Sequence, residues 1–380
     1  MVIKSNKISS AAPSITQSEI DIVSKAIKDG WGDNMSLYID QFIENFSDYV
    51  GVKYCLPTAH CTDAIHLAML ALDIGPGDEV IVPDLTWVAS ASPITYVGAT
   101  PVFADVDPIS WCITAKSIED NITSKTKAVV VVDLLGNMPD WEEILELCQN
   151  KGIKIIEDAA EGLGATYKGK QAGSFGLISL FSFSPTKLIT SGQGGAFCTN
   201  DYLLYKKAKL LSHHGIDKES TGKYFWSNVV GYNFTWTNIQ AALALAQLHR
   251  INELIAYKEW LFQEYKKHLK SLDGVSLSTS KKNVKVVNWI TVAVIDPNYA
   301  LDKEKLIELF SEYNIDTRPM FYPMSSMPAF QSYINSTNMS DLNPITYNLS
   351  KYAICLPAGN NLNSDDVERI CNTFKTILNV

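Results

Sequence analysis

Lys154-Ile155-Ile156-Glu157-Asp158-Ala159-Ala160-Glu161 is an apolar run that closes on carboxylates, and the rest of the chain is read outward from it. Such a run predicts a buried strand that delivers Asp158 to the rim of a sheet, where open α/β folds hold their ligands. A lysine follows 29 residues later (187 − 158) in Phe181-Ser182-Phe183-Ser184-Pro185-Thr186-Lys187, and Ser191-Gly192-Gln193-Gly194-Gly195 comes next. A carboxylate at a strand end and a lysine in a loop bounded by two more apolar runs suit pyridoxal phosphate. Its aldehyde needs an amine, and its ring nitrogen needs an acid partner if the ring is to accept electrons. A solvated loop lysine is the ordinary alternative for Lys187. The apolar and glycine-rich flanks argue against it.

Apolar runs recur on both sides of that stretch, at Glu79–Pro83 and at residues 101–104, 128–132, 153–157, 178–183 and 195–199, with helical patterns between them. The alternation predicts a mostly parallel sheet covered on both faces. Residues 14–30 have helical spacing and stop at Asp29-Gly30, and residues 38–49 form a second amphipathic segment. A single long helix is expected over residues 237–269, leading to strands near 284–294, a helix near 303–313 and a last helix from Ser364. The fold class is therefore α/β, with a large domain over residues 1–248 and a smaller α+β domain over 249–380.

The chain has 380 residues, 46% apolar and 19% charged, enough for a sizeable core. Its net charge of −9 and pI near 5.2 argue against nucleic acid or a membrane surface as partner, because no basic cluster exceeds Lys281-Lys282. Seven cysteines with no CxxC pair read as reduced thiols of a cytoplasmic protein, and the six histidines offer no metal spacing. The start, Met1-Val2-Ile3-Lys4-Ser5-Asn6-Lys7, lacks the apolar core of a signal peptide. Runs such as 128–132 are too short to span a bilayer.

Residues 54–72 read as strand, turn and helix, with His60-Cys61-Thr62-Asp63 at the helix start. Unpaired N–H groups there suit a phosphate, with Thr62 adding a hydroxyl. Asp63 is expected to turn away from that anion and serve the helix terminus. Glu161 falls close to Asp158 if a helical turn begins between them.

In this order, Thr62, Trp87, Glu157-Asp158, Ser182, Lys187, Gly194-Gly195, Asn233 and Thr317-Arg318-Pro319 resemble the DegT-type sugar aminotransferases, fold-type I pyridoxal-phosphate enzymes. The likeness runs from about Ala12 to the C-terminus. It implies that Lys187 and Asp158 are catalytic and that Trp87 stacks on the cofactor ring. It also implies that Glu161 lies near the ring hydroxyl, that Cys61, Thr62 and Ser182 hold the phosphate, and that Asn233 reaches the cofactor of a partner in a homodimer with shared sites. Trp31, His214 and Arg318 fall at substrate positions of the family. The sequence departs from the family at His60-Cys61-Thr62, where Asn-Gly-Thr is usual. It departs again at Asp133-Leu134-Leu135-Gly136, where His-Leu-Tyr-Gly is common, and at Gln193, which stands for a frequent glutamate. Cys61 replaces a glycine that lets the backbone approach closely, so the phosphate rests on Thr62 and the amides. Asp133 receives no role.

The resemblance implies transfer of an amino group from glutamate to a keto-sugar, a nucleotide-linked 4-keto-6-deoxy sugar being the family's usual acceptor, for surface polysaccharide or glycoconjugates. A smaller phosphorylated ketone is an alternative acceptor. Sugar dehydratases among the relatives carry histidine at the lysine position, so Lys187 favours transamination. A nucleotide-binding protein without this cofactor is a more remote alternative: Gly162-Leu163-Gly164-Ala165 lacks the third glycine of a dinucleotide fingerprint.

Overall fold

The computed structural model describes residues 6–217, 221–334 and 338–379. The leader expectation rests largely on residues 1–5, which lie outside the described residues. Seven strands form the central sheet: β1 (Tyr54–Thr58), β2 (Glu79–Pro83), β3 (Thr100–Ala104), β4 (Thr126–Val132), β5 (Lys154–Asp158), β6 (Ile178–Ser182) and β7 (Gly195–Thr199). Their order across the sheet is β1-β7-β6-β5-β4-β2-β3. The pairs β2–β3, β2–β4, β4–β5 and β5–β6 are parallel, whereas β7 runs against both β1 and β6. The inner strands are buried and largely apolar because helices cover both faces; Val129, Val130, Val131 and Ile156 are fully buried. This is the fold-type I architecture, and the turns after β2, β4, β5 and β6 leave from one edge.

The N-terminal helix Gln17–Asp29 packs on the helix Asn238–His249. Glu19, 1% exposed, binds Arg250 Nη1 at 2.6 Å and Gln247 Nε2 at 2.7 Å. The helix Leu37–Val50 sends Phe42 and Phe46 against Phe183, which anchors the lysine loop from below. The single helix expected over residues 237–269 divides at Arg250 into Asn238–His249 and Ile251–Leu269. Nothing in local propensity breaks it there. The break falls where the Arg250 guanidinium is fixed by Ser14, Glu19 and Glu253.

The C-terminal part builds an antiparallel sheet from β8 (Val275–Leu277), β9 (Val292–Ile295), β10 (Arg318–Pro319) and β11 (Ala353–Cys355), in the order β8-β9-β11-β10. A second core gathers Ile8, Tyr265, Phe310, Val367 and Phe374 beneath it. The expected strand near residue 284 does not join that sheet. Val284 and Lys285 pair with Tyr167 and Thr166 in a separate three-stranded ribbon. Asp84, buried after β2, ties the two parts together by accepting from the Ser325 N–H (2.7 Å) and the Asn343 amide (2.9 Å). Among the described residues no helix is long and apolar enough to cross a membrane.

Candidate active site

Asp158 ends β5 and is 4% exposed. One carboxylate oxygen accepts from the Ser90 hydroxyl at 2.8 Å and the other from the Ala160 N–H at 3.2 Å. Burial pushes the carboxyl above the usual carboxylate range, against the opposing pull of Ser90, Ala160 and the Lys187 charge. A cationic N–H brought to Asp158 favours its ionised form, the arrangement a protonated pyridine nitrogen presents.

Lys187 sits in a loop closed by its own main chain: its N–H donates to Ser184 O at 3.1 Å, and the Ser191 N–H donates to Phe183 O at 3.0 Å. The Lys187 side chain is 13% exposed. Its Nζ lies 3.3 Å from Glu161 Oε1 and 3.7 Å from the centroid of the Trp289 ring. Trp289 is fixed in turn, its indole N–H donating to Thr186 O at 2.6 Å. The second Glu161 oxygen accepts from the Leu135 N–H at 2.8 Å. Burial raises the Glu161 carboxyl, and the nearby Lys187 ammonium opposes that rise.

The helix Cys61–Ala71 begins beside this pair, and no side chain caps it. Its approach to β7 depends on Gly195: a Cβ there would lie 2.5 Å from Cys61 N. Ser182 is the register partner of Gly195, so the Ser182 hydroxyl and the first helical N–H groups flank one spot. Burial raises the Asp63 carboxyl, and His60 opposes the rise. Burial drives the Cys61 thiol well up, and the charges of Asp158, Lys187, Asp63 and Glu161 all act on it, so helix start, lysine and carboxylates share one space. The donor set fits pyridoxal phosphate: an amine, an acid partner for a ring nitrogen, and an open helix N-terminus made reachable by a glycine.

Trp87 is 59% exposed at the same edge, its ring 6.2 Å from that of Phe321. Arg318 is exposed on β10 and donates through Nε to Ser10 Oγ at 3.0 Å. Burial lifts the Cys355 thiol to about 12, with Glu161 pushing it up and Arg318 pulling it down. The remaining sequence candidates stand apart. Trp31 is 64% exposed and its indole N–H donates to Ile27 O. His214, exposed at φ +55°, donates its N–H to Tyr232 O. Asn233 is exposed and accepts from the Thr235 hydroxyl. Among the described residues no hydrogen bond or ring contact joins these three to Lys187.

Sequence reading missed Ser90, Trp289 and Leu135. Ser90 meets Asp158 from 68 residues away, and Trp289 meets Thr186 from 103. No spacing rule reaches across such gaps, and Asn288-Trp289-Ile290 carries no motif. Asp133 is fully buried after β4, with neither carboxylate oxygen hydrogen-bonded, and burial followed by the Glu157 and Asp158 charges drives it well up toward its neutral form.

Comparison with known proteins gives the same picture. The profile of the DegT/DnrJ/EryC1/StrS aminotransferase family matches residues 13–375. The chain is 38% identical over 362 residues to the GDP-perosamine synthase of Escherichia coli O157:H7, covering 95% of this chain and 96% of that one. It is 39% identical over 328 residues to the GDP-perosamine synthase of Caulobacter vibrioides, covering 85% and 87%. A solved sugar aminotransferase of Streptococcus pneumoniae superposes in its PMP form with TM-score 0.90 and in its PLP form with 0.89. Each is 26% identical; the PMP form covers 98% of both chains, the PLP form 98% of this chain and 99% of that one.

Proposed function

The chain belongs to the DegT/DnrJ/EryC1/StrS aminotransferase family, whose members use pyridoxal phosphate, and from that premise we propose that it moves an amino group from L-glutamate to a nucleotide-linked 4-keto-6-deoxy sugar. A GDP-linked acceptor is favoured by the names of its relatives. The observation that carries the reading is the Lys187 amine held against Glu161, three residues beyond buried Asp158, with an uncapped helix start packed on Gly195.

When bound, pyridoxal phosphate supplies the electron sink that stabilises a carbanion at the donor's α-carbon. Lys187 Nζ is the acid and base at that carbon, held in place by the Trp289 face and Glu161. Asp158, its carboxylate held in place by Ser90 and Ala160, would keep a proton on the ring nitrogen. Thr62, the Cys61 N–H and Ser182 would hold the phosphate. Trp87 would pack on the ring, and Glu161 would serve its hydroxyl. Arg318 offers a planar fork to the donor carboxylate or to the diphosphate.

The enzyme works in the cytoplasm as a homodimer with shared sites, Asn233 of each chain serving the other. The exposed apolar side chains of Trp31, Phe225 (94%) and Val230 (92%) favour such an assembly, in which a second copy would cover them. Trp31 and His214 belong to the substrate side of that assembly.

The test is a reaction of the purified holoenzyme with L-glutamate and a GDP-linked 4-keto-6-deoxy hexose, analysed by mass spectrometry. The expected product is the GDP-linked amino sugar, with one 2-oxoglutarate formed for each. Glutamate turnover only with a small phosphorylated ketone would move the assignment to that acceptor.

A further inference from the structure

Leu135 faces two spaces. Its N–H donates to Glu161 and its C=O accepts from the Trp289 N–H at 3.2 Å, so it braces both groups that hold Lys187. It also lines a cavity of about 360 Å³, bounded by Ser110 and Trp111, the 134–137 turn, the Glu259-to-Lys266 face of the helix Ile251–Leu269, and the segment 278–288. That volume falls within the range of small-molecule pockets. Leu135 apart, none of the residues given a part in amino transfer lines it.

Its lining has two chemistries. Phe262, half-buried, supplies an aromatic face, and Trp111, 4% exposed, closes the wall behind it. Lys266 and Lys285 supply ammonium groups, and neither has an ion-pair partner among the described residues. Ser278, Thr279 and Ser280 also line it, and Lys281 follows them in the chain, 2.8 Å from Asp107 Oδ2. The Asn137 amide joins two walls by donating to Thr279 O (2.9 Å) and Ser110 O (3.2 Å). Glu259 is the one carboxylate of the lining, and it already accepts from Gln263 Nε2 at 2.8 Å. Two unpaired cations are therefore gathered on a chain whose net charge is −9.

Three lining residues hold left-handed backbone: Trp111 at φ +61°, Leu135 at +57° and Asn288 at +48°. For tryptophan and leucine that conformation is costly and persists only where the surroundings impose it, which is commonest at ligand sites. We propose that this cavity is a second site, outside the Lys187 centre, that binds a nucleoside diphosphate, its phosphates against the exposed Lys266 and Lys285 and its base against Phe262. Occupancy bears on Leu135 and, through its two main-chain bonds, on Glu161 and Trp289.

GDP is the probe. Equilibrium dialysis of the holoenzyme with GDP is compared with K266E/K285E and with the milder K266Q/K285Q, each first shown to retain its cofactor absorbance and melting temperature. The wild type is expected to bind one more GDP per chain than K266E/K285E, and K266Q/K285Q to bind that extra GDP at least tenfold more weakly. Equal counts and affinities in all three proteins overturn the site. Loss of one GDP accompanied by a proportional rise in KM for the sugar nucleotide also overturns it, because the cavity then holds the tail of the substrate. The count needs no amino transfer, so it stands or falls separately from the catalytic reading.

Discussion

The Lys187 ammonium lies 3.7 Å from the centroid of the Trp289 ring, and that ring donates its indole N–H to the carbonyl of Thr186, the residue beside the lysine. The aromatic face is thereby fixed to the loop that carries the amine. A cation over such a face gains roughly 0.5–2 kcal/mol and a preferred direction.

Trp289→Leu is expected to slow amino transfer about tenfold, the rate equivalent of roughly 1.4 kcal/mol, with cofactor content unchanged. Steady-state kcat together with cofactor stoichiometry checks it. A wild-type kcat would mean that the ring does not orient the amine.

Ser90→Ala removes one of two hydrogen bonds to Asp158. Losing a buried bond to a carboxylate costs about 1–2 kcal/mol, so the dissociation constant for pyridoxal phosphate should rise roughly tenfold. Fluorescence titration of the apoprotein reads this directly; unchanged affinity would leave Asp158 independent of Ser90.

Glu19 supports the N-terminal helix through its charge. Burial raises its pKa, but the bonds from Thr16, Arg250 and Gln247 outweigh burial and bring it down to about 2. A folded value below the unfolded one gives stability that is present above about pH 4.5 and lost as pH falls toward 2. Glu19→Gln is expected to cost roughly 3 kcal/mol at pH 7 and much less near pH 2. Urea denaturation at both pH values tests it, and an equal loss at each would show that Glu19 acts by shape alone.

Lys258 is the converse case in one respect: its charged form costs stability, whereas that of Glu19 supplies it. It is 3% exposed, donates to Ala358 O, and burial lowers its pKa to about 8. Between about 8 and the unfolded value near 10.5 the unfolded chain holds more protons, so stability rises with pH across that window. Lys258→Met should reduce the rise without abolishing it, because buried Lys303 also titrates at about 8. Denaturation midpoints at pH 8 and pH 10 decide the point; a slope equal to that of the wild type would exclude Lys258 as its source.

Much of this arrangement is legible in the sequence because it depends on short-range patterns. An apolar run ending in Asp158 makes β5, and the glycine-rich segment after Lys187 leads into β7, where Gly195 makes room for the helix start. What is not legible depends on tertiary contacts. The helix break at Arg250 follows a clamp set by Ser14 and Glu19, more than 200 residues away. Val284 pairs with Tyr167 instead of the C-terminal sheet, although its local pattern is that of an ordinary strand. Trp289 and Ser90 reach the centre from distant turns, and Asp133 at the end of β4 is buried without a partner where a strand-end carboxylate ordinarily reads as solvated.

The most direct measurement is the absorption spectrum of the protein loaded with pyridoxal phosphate, recorded before and after L-glutamate for the wild type and for Lys187→Ala. The wild type is expected to show a visible band that gives way to a shorter-wavelength band as 2-oxoglutarate appears in equal amount, and Lys187→Ala is expected to show no such conversion. Conversion by Lys187→Ala at the wild-type rate, or a wild type that stays colourless with added cofactor, would contradict the assignment of Lys187 as the residue that holds the cofactor and moves the proton.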